Sequence, residues 1–87
     1  MRTKAMTKEE QEYYNSKTPI AVYPVGNWGG VEILDILYGI DDYVVCRYNF
    51  GEPEKKLHRV KIQHNKGGIP FIFLDGSYVR LDECLAV

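Results

Sequence analysis

The residues best equipped for chemistry crowd into one stretch. Between positions 55 and 66 stand Lys55, Lys56, Arg59, Lys61 and Lys66, with His58 and His64 among them and no acid, so five of the chain's eleven basic side chains fall in twelve positions. On an extended strand Arg59 and Lys61 point to the same side roughly 6.6 Å apart, near the spacing of successive phosphates. Lys55, Lys56, Arg59 and Lys61 are therefore candidate nucleic-acid contacts. Tyr48, Phe50 and Leu57 share that side in the register derived below, and rings beside cations suit unstacked bases. The same charges also fit an edge strand that deters pairing between sheets, with Asp35 near enough to pair with them.

No catalytic set emerges. Asp35, Cys46 and Arg59 lie abreast on three neighbouring strands in the expected register, and an arginine beside a thiol favours the thiolate. His58 points to the opposite face, which leaves a nucleophile without a base, and a buried Cys46 acting as a small apolar residue explains the position better. His58 and His64 are roughly 20 Å apart along an extended strand, too far to share an ion. Cys46 and Cys84 form no closely spaced pair. Gly26, Gly29 and Gly30 do not precede a helix, so they form no phosphate loop. The expectation is a protein without catalytic residues, metal or cofactor.

A second group of side chains suits recognition. Phe71, Phe73, Tyr78 and Arg80 share one face of a hairpin, where Arg80 opposite Phe71 permits a cation–π contact and aromatics commonly dominate interface energetics. Trp28 sits in a loop between glycines, with less reason than a strand residue to belong to the core. These five residues are the candidate protein-binding set. The structural alternative is packing beneath the amino-terminal helix or against a strand of the other layer, and for Trp28 plugging a barrel end.

The elements that must position these groups are read from turn chemistry. Asp75-Gly76 suits a type I′ hairpin, which needs φ > 0 at both central residues, and it pairs Leu74 with Ser77, Phe73 with Tyr78, Ile72 with Val79, Phe71 with Arg80 and Pro70 with Leu81. Ile72, Leu74, Val79 and Leu81 then share the other face. Upstream, strands are predicted at residues 19–25, 30–38, 43–50 and 55–63, followed by 69–74 and 77–82, with breaks too short for parallel crossovers. Four-residue loops at 39–42 and 51–54 set Tyr38 opposite Tyr43 and Phe50 opposite Lys55. Neither face of the resulting sheet is plainly polar, so it must curl or be covered. Thr7 and Glu10 have capping-box spacing, predicting a helix over 8–15 that leans on the sheet through Tyr13 and Tyr14, and Pro19 closes it.

Length and composition set the outer bounds. Eighty-seven residues, 45% hydrophobic and 26% charged, fit one small folded domain, here a tail and helix over 1–18 and a β-domain over 19–87. A net charge of −1 argues against a general polyanion binder without excluding a local basic patch. No apolar run is long enough to cross a bilayer and the first residues lack a signal core, so no membrane contact and a cytoplasmic location with reduced cysteines are expected. Two apolar faces on so short a chain also make a second copy of the chain a candidate partner, with the amino-terminal segment or barrel closure as the other ways to cover them.

The order of short antiparallel strands, the glycine-rich first loop and the closing hairpin resemble the SH3-like small barrels over residues 19–85. The resemblance implies a mainly β fold, a small antiparallel meander barrel of five to six strands with a short amino-terminal helix. Such barrels host peptide binders, nucleic-acid binders and structural modules alike. The phrases Gly39-Ile40-Asp41-Asp42-Tyr43-Val44 and Asp75-Gly76-Ser77-Tyr78-Val79-Arg80-Leu81-Asp82-Glu83 are similar to those of short uncharacterised proteins of bacteria and their phages or conjugative elements. The expected function is a non-enzymatic module that contacts a protein. Nucleic-acid binding through the basic strand 55–66 and inhibition of a host defence enzyme by a mobile-element protein are the alternatives.

Overall fold

The computed structural model describes residues 5–24, 30–39, 41–49 and 53–87. They form a helix α1 (Lys8–Asn15) and strands β1 (Ala21–Tyr23), β2 (Val31–Leu37), β3 (Tyr43–Tyr48), β4 (Lys56–Lys61), β5 (Gln63–His64), β6 (Pro70–Leu74), β7 (Ser77–Arg80) and β8 (Leu85–Ala86), with a 3-10 turn at Leu81–Glu83 before β8. The strands make two antiparallel sheets, ordered β4-β3-β2-β1-β8 and β5-β6-β7. The fold is mainly β, as expected, but among the described residues the two sheets do not close on each other into a barrel. Its strands outnumber the five or six predicted because the run 55–63 switches partner at Ile62, becoming β4 and β5, and because the apolar carboxy-terminal residues return to pair with β1. Among the described residues no helix is long and apolar enough to cross a membrane.

Local signals behave as their chemistry dictates. The Thr7 hydroxyl accepts the Glu10 amide at 3.2 Å and the Glu10 carboxylate accepts the Thr7 amide at 3.1 Å, closing the capping box at both ends. The hairpin has the predicted register in four of its five expected pairs; Pro70 does not pair with Leu81, because the chain enters the 3-10 turn at Leu81 and Pro70 pairs with His64 instead. Asp75 and Gly76 have φ of 48° and 82°, a turn that glycine adopts without a Cβ penalty.

The central strands depart from the predicted register by one residue. Leu37, rather than Tyr38, faces Tyr43, and Cys46 faces His58 rather than Arg59. The physical reason is burial: the predicted pairing would place Arg59 and Lys61 beside Val44 and Cys46, whereas the observed one sets Val44 against Val60 and sends the cations to the other face. A second shift lies in β2 between Ile33 and Asp35, where Leu34 is the extra residue. This bulge turns both Leu34 and Asp35 toward α1, while Ile33 points into the core between the sheets.

Two clusters result. Ile33, Val44, Cys46 and Val60 of the larger sheet pack against Ile72, Leu74 and Val79 of the smaller one, all at most 1% exposed. Each buried aliphatic side chain of this size contributes about 1.5–3 kcal/mol. On the far side of the larger sheet Tyr14 covers Leu34 and Val45, with Met6, Leu37 and Leu57 around them. Only one of the two helix tyrosines does the covering, since Tyr13 stays 60% exposed.

Candidate functional site

The outward face of the β6–β7 hairpin gathers three rings. Alternation sends Ile72 and Leu74 inward, so Phe71 and Phe73 stand on the opposite side with Tyr78 across from Phe73. Ring centroids lie 4.6 Å apart for Phe71 and Tyr78, 5.3 Å for Phe71 and Phe73, and 5.9 Å for Phe73 and Tyr78, the last two edge-on. Those separations are in the range where aromatic pairs attract beyond simple burial. Phe71 is buried, Phe73 partly so, and Tyr78 is 41% exposed. The cluster is therefore an apolar floor with one ring exposed above it.

Arg80 faces Phe71 in the ladder, but its guanidinium turns to the 3-10 turn. Nε donates to Asp82 Oδ1 at 3.0 Å and Nη2 to Oδ2 at 2.6 Å, a two-point clamp, with Glu83 3.6 Å away. This clamp holds the Asp82 carboxyl below its ordinary value and raises Arg80 above its own. Arg80 thus borders the aromatic face with its charge already matched. Trp28, the fifth residue of the expected set, lies outside the described residues.

The basic strand is brought together but not left bare. Lys55 lies 3.3 Å from Glu32, Lys61 lies 2.9 Å from Asp41, and Arg59 pairs with Glu10 of α1. Arg59 is 8% exposed, beneath the helix, so the most central cation of the predicted ridge does not face solvent. Lys61 is held above its ordinary value, chiefly by its hydrogen bond to Asp41, and also sits over the Tyr43 ring at 5.6 Å. Lys56 is exposed on the edge of the sheet. Phe50, expected beside these cations, lies outside the described residues.

Cys46 and its expected neighbours separate. Asp35 and Arg59 flank Val45 on the helix side, whereas Cys46 is fully buried between the sheets opposite His58, whose ring stacks on Tyr48 at 4.5 Å. Burial pushes the Cys46 thiol up to about 12, so the arginine-assisted thiolate does not form. Asp35 instead receives the Lys17 ammonium at 3.1 Å and the Tyr14 hydroxyl at 3.5 Å. Among the described residues no group of three or more His, Cys, Asp or Glu side chains is placed to hold a metal ion.

One feature escapes a reading by elements alone. Where the two sheets part, a cavity of about 300 Å³ opens between Ile36, Ile62, Pro70 and Leu81, rimmed by Tyr38, Asp42, His64 and Asp82. A second cavity of about 160 Å³, reaching Cys84 and Ala86, shares Ile36 and Leu81 with it, so the two adjoin across those side chains along the furrow where the sheets part. The signal in the sequence was the apolar ending Cys84-Leu85-Ala86-Val87, which reads as a further strand and so implies a seam beside β1. Comparison of the chain with protein-family models, curated proteins and solved structures gave no match.

Proposed function

We propose that this chain is a non-enzymatic binding module of SH3-like, small-barrel architecture that contacts a partner protein through Phe71, Phe73, Tyr78 and Arg80. The barrel reading is supported by the run from β4 to β5, which serves both sheets, and by β8, which returns to the first strand after the 3-10 turn. The contact reading rests on one observation, the aromatic cluster whose outermost ring is 41% exposed on a face that α1 does not cover. A large ring held by two others loses little conformational freedom on docking, which is why tyrosine suits interface centres. The nucleic-acid reading draws less support, because Lys55, Arg59 and Lys61 already have carboxylate partners.

The experiment is a photocrosslinking residue placed at position 78 in cells, compared with the same residue at Lys66 on the exposed β5–β6 loop. A crosslinked protein specific to position 78, whose capture is lost in Phe73→Ala with the thermal melt retained, is the expected result. Equal crosslinking at both positions ends the proposal.

A further inference from the structure

We propose that the furrow between the sheets is a peptide-binding site that takes an extended segment of a partner protein, its apolar side chains in the furrow and its lysine or arginine side chains against the rim. Of the contact residues proposed above only Arg80 reaches this rim, through Asp82, while Phe71, Phe73 and Tyr78 lie outside it, so variants at Tyr38 and Tyr78 tell the two proposals apart.

Size and floor come first. A volume of about 300 Å³ is at the lower end of ligand sites, enough for the side chains of a short segment, and the adjoining 160 Å³ extends it along β1. Ile33 and Ile62 line it from the core, so an occupant rests on the packed interior rather than on loops. Apolar side chains also stand exposed beside it: Tyr38 is 78% exposed and Ile20, which lines the second cavity, is 47% exposed. β8 ends the larger sheet, so its outer edge can pair with an added strand, and Ala86 lies in the furrow wall.

Charge selects the occupant. Asp42 and Asp82 line the rim and Asp41 and Glu83 adjoin them in sequence, four carboxylates against two cations, Lys61 paired with Asp41 and Arg80 with Asp82 and Glu83. The rim is therefore net acidic. A second copy docked by two-fold symmetry would bring these carboxylates onto themselves, whereas a segment carrying lysine or arginine meets them with opposite charge. That argument favours a different chain over self-association.

The test uses the full chain and two synthetic peptides, one alternating valine with lysine and one alternating valine with glutamate, followed by amide chemical shifts. The lysine peptide is expected to bind about tenfold more tightly. Its shifts should centre on Ile36, Leu81 and Cys84 and leave Tyr78 in place, and it should slow maleimide labelling of Cys84. Leu81→Lys should abolish binding, and Tyr38→Ala, at a solvent-exposed position that leaves the fold intact, should weaken it severalfold. Equal affinity for the two peptides, shifts centred on Tyr78, an unaffected Tyr38→Ala variant, or a dimer in sedimentation that hides Ile20 and Tyr38 would each overturn the proposal.

Discussion

Arg59 of β4 and Glu10 of α1 form an ion pair that fastens the helix across the larger sheet, with Arg59 almost wholly buried and Glu10 open to solvent on one side. The pair makes one residue do two incompatible things in a reading of the sequence: a cation spaced for phosphates is also the clasp for the helix. Glu10 contributes twice, since its carboxylate accepts the Thr7 amide as well. Helix capping and helix docking therefore depend on the same ionised group.

Acid should loosen this clasp. Glu10 is held below its ordinary value near 4.5, first by the Thr7 amide and then by Arg59 among the groups that lower it. A depressed carboxyl stabilises the fold above the unfolded-state value and loses that contribution as pH falls through the folded one. The melting temperature should thus be level from about pH 7 to pH 5 and drop below about pH 4.5. Glu10→Gln should start lower and fall less steeply, because it leaves Arg59 buried without its counter-charge at every pH. Thermal melts by circular dichroism across this range decide it, and parallel curves for the two proteins would remove Glu10 from the account.

Tyr14 should matter to the helix more through its ring than through its hydroxyl. The ring covers Leu34 and Val45, whereas the bond to Asp35 is long at 3.5 Å and Asp35 already has Lys17. Tyr14→Ala is expected to cost about 3–5 kcal/mol, the range for removing a buried aromatic. Tyr14→Phe should cost about 1 kcal/mol or less. Urea unfolding of the two variants gives the comparison, and equal losses would put the hydroxyl in charge.

These contrasts explain which parts of the chain could be read in advance. The helix start and the Asp75-Gly76 hairpin are fixed within a few residues, by Thr7 with Glu10 and by a turn that demands positive φ, and both matched. The aromatic face followed from that hairpin. The pairing of β2, β3 and β4 had only loop length to go on, and a one-residue error there moves every side chain to the other face. What settled it was the need to keep Arg59 and Lys61 out of the core and to aim Asp35 at Lys17, both contacts between distant parts of the chain. The furrow was further out of reach, since it lies where the chain passes from one sheet to the other, at Ile62 and again at Leu81.

The two thiols should separate cleanly by reactivity. Burial lifts Cys46 to about 12 and Cys84, half-buried, to about 11. At neutral pH both are protonated, but Cys84 is partly open and Cys46 is not. A disulfide reagent should modify one thiol per folded chain, faster by about tenfold per unit of rising pH below 11, and the second only in denaturant. Fast labelling of Cys46 in the folded protein would contradict its place between the sheets.

The sharpest check on inside and outside lies within the closing hairpin, where neighbours in sequence have opposite fates. Val79 is fully buried in the core between the sheets, and Tyr78 beside it is partly exposed. Ile72, across from Val79, is equally buried. Ile72→Ala should therefore destabilise by about 2–5 kcal/mol. Tyr78→Ala loses ring contacts with Phe71 and Phe73 and should cost only about 1 kcal/mol. Gly76→Ala, at a backbone angle that L residues avoid, should cost about 1 kcal/mol or more without altering the contact face. Denaturant midpoints for the three variants order them. If Tyr78→Ala proved as damaging as Ile72→Ala, the aromatic face would belong to the core, and the partner contact built on it would have to go elsewhere.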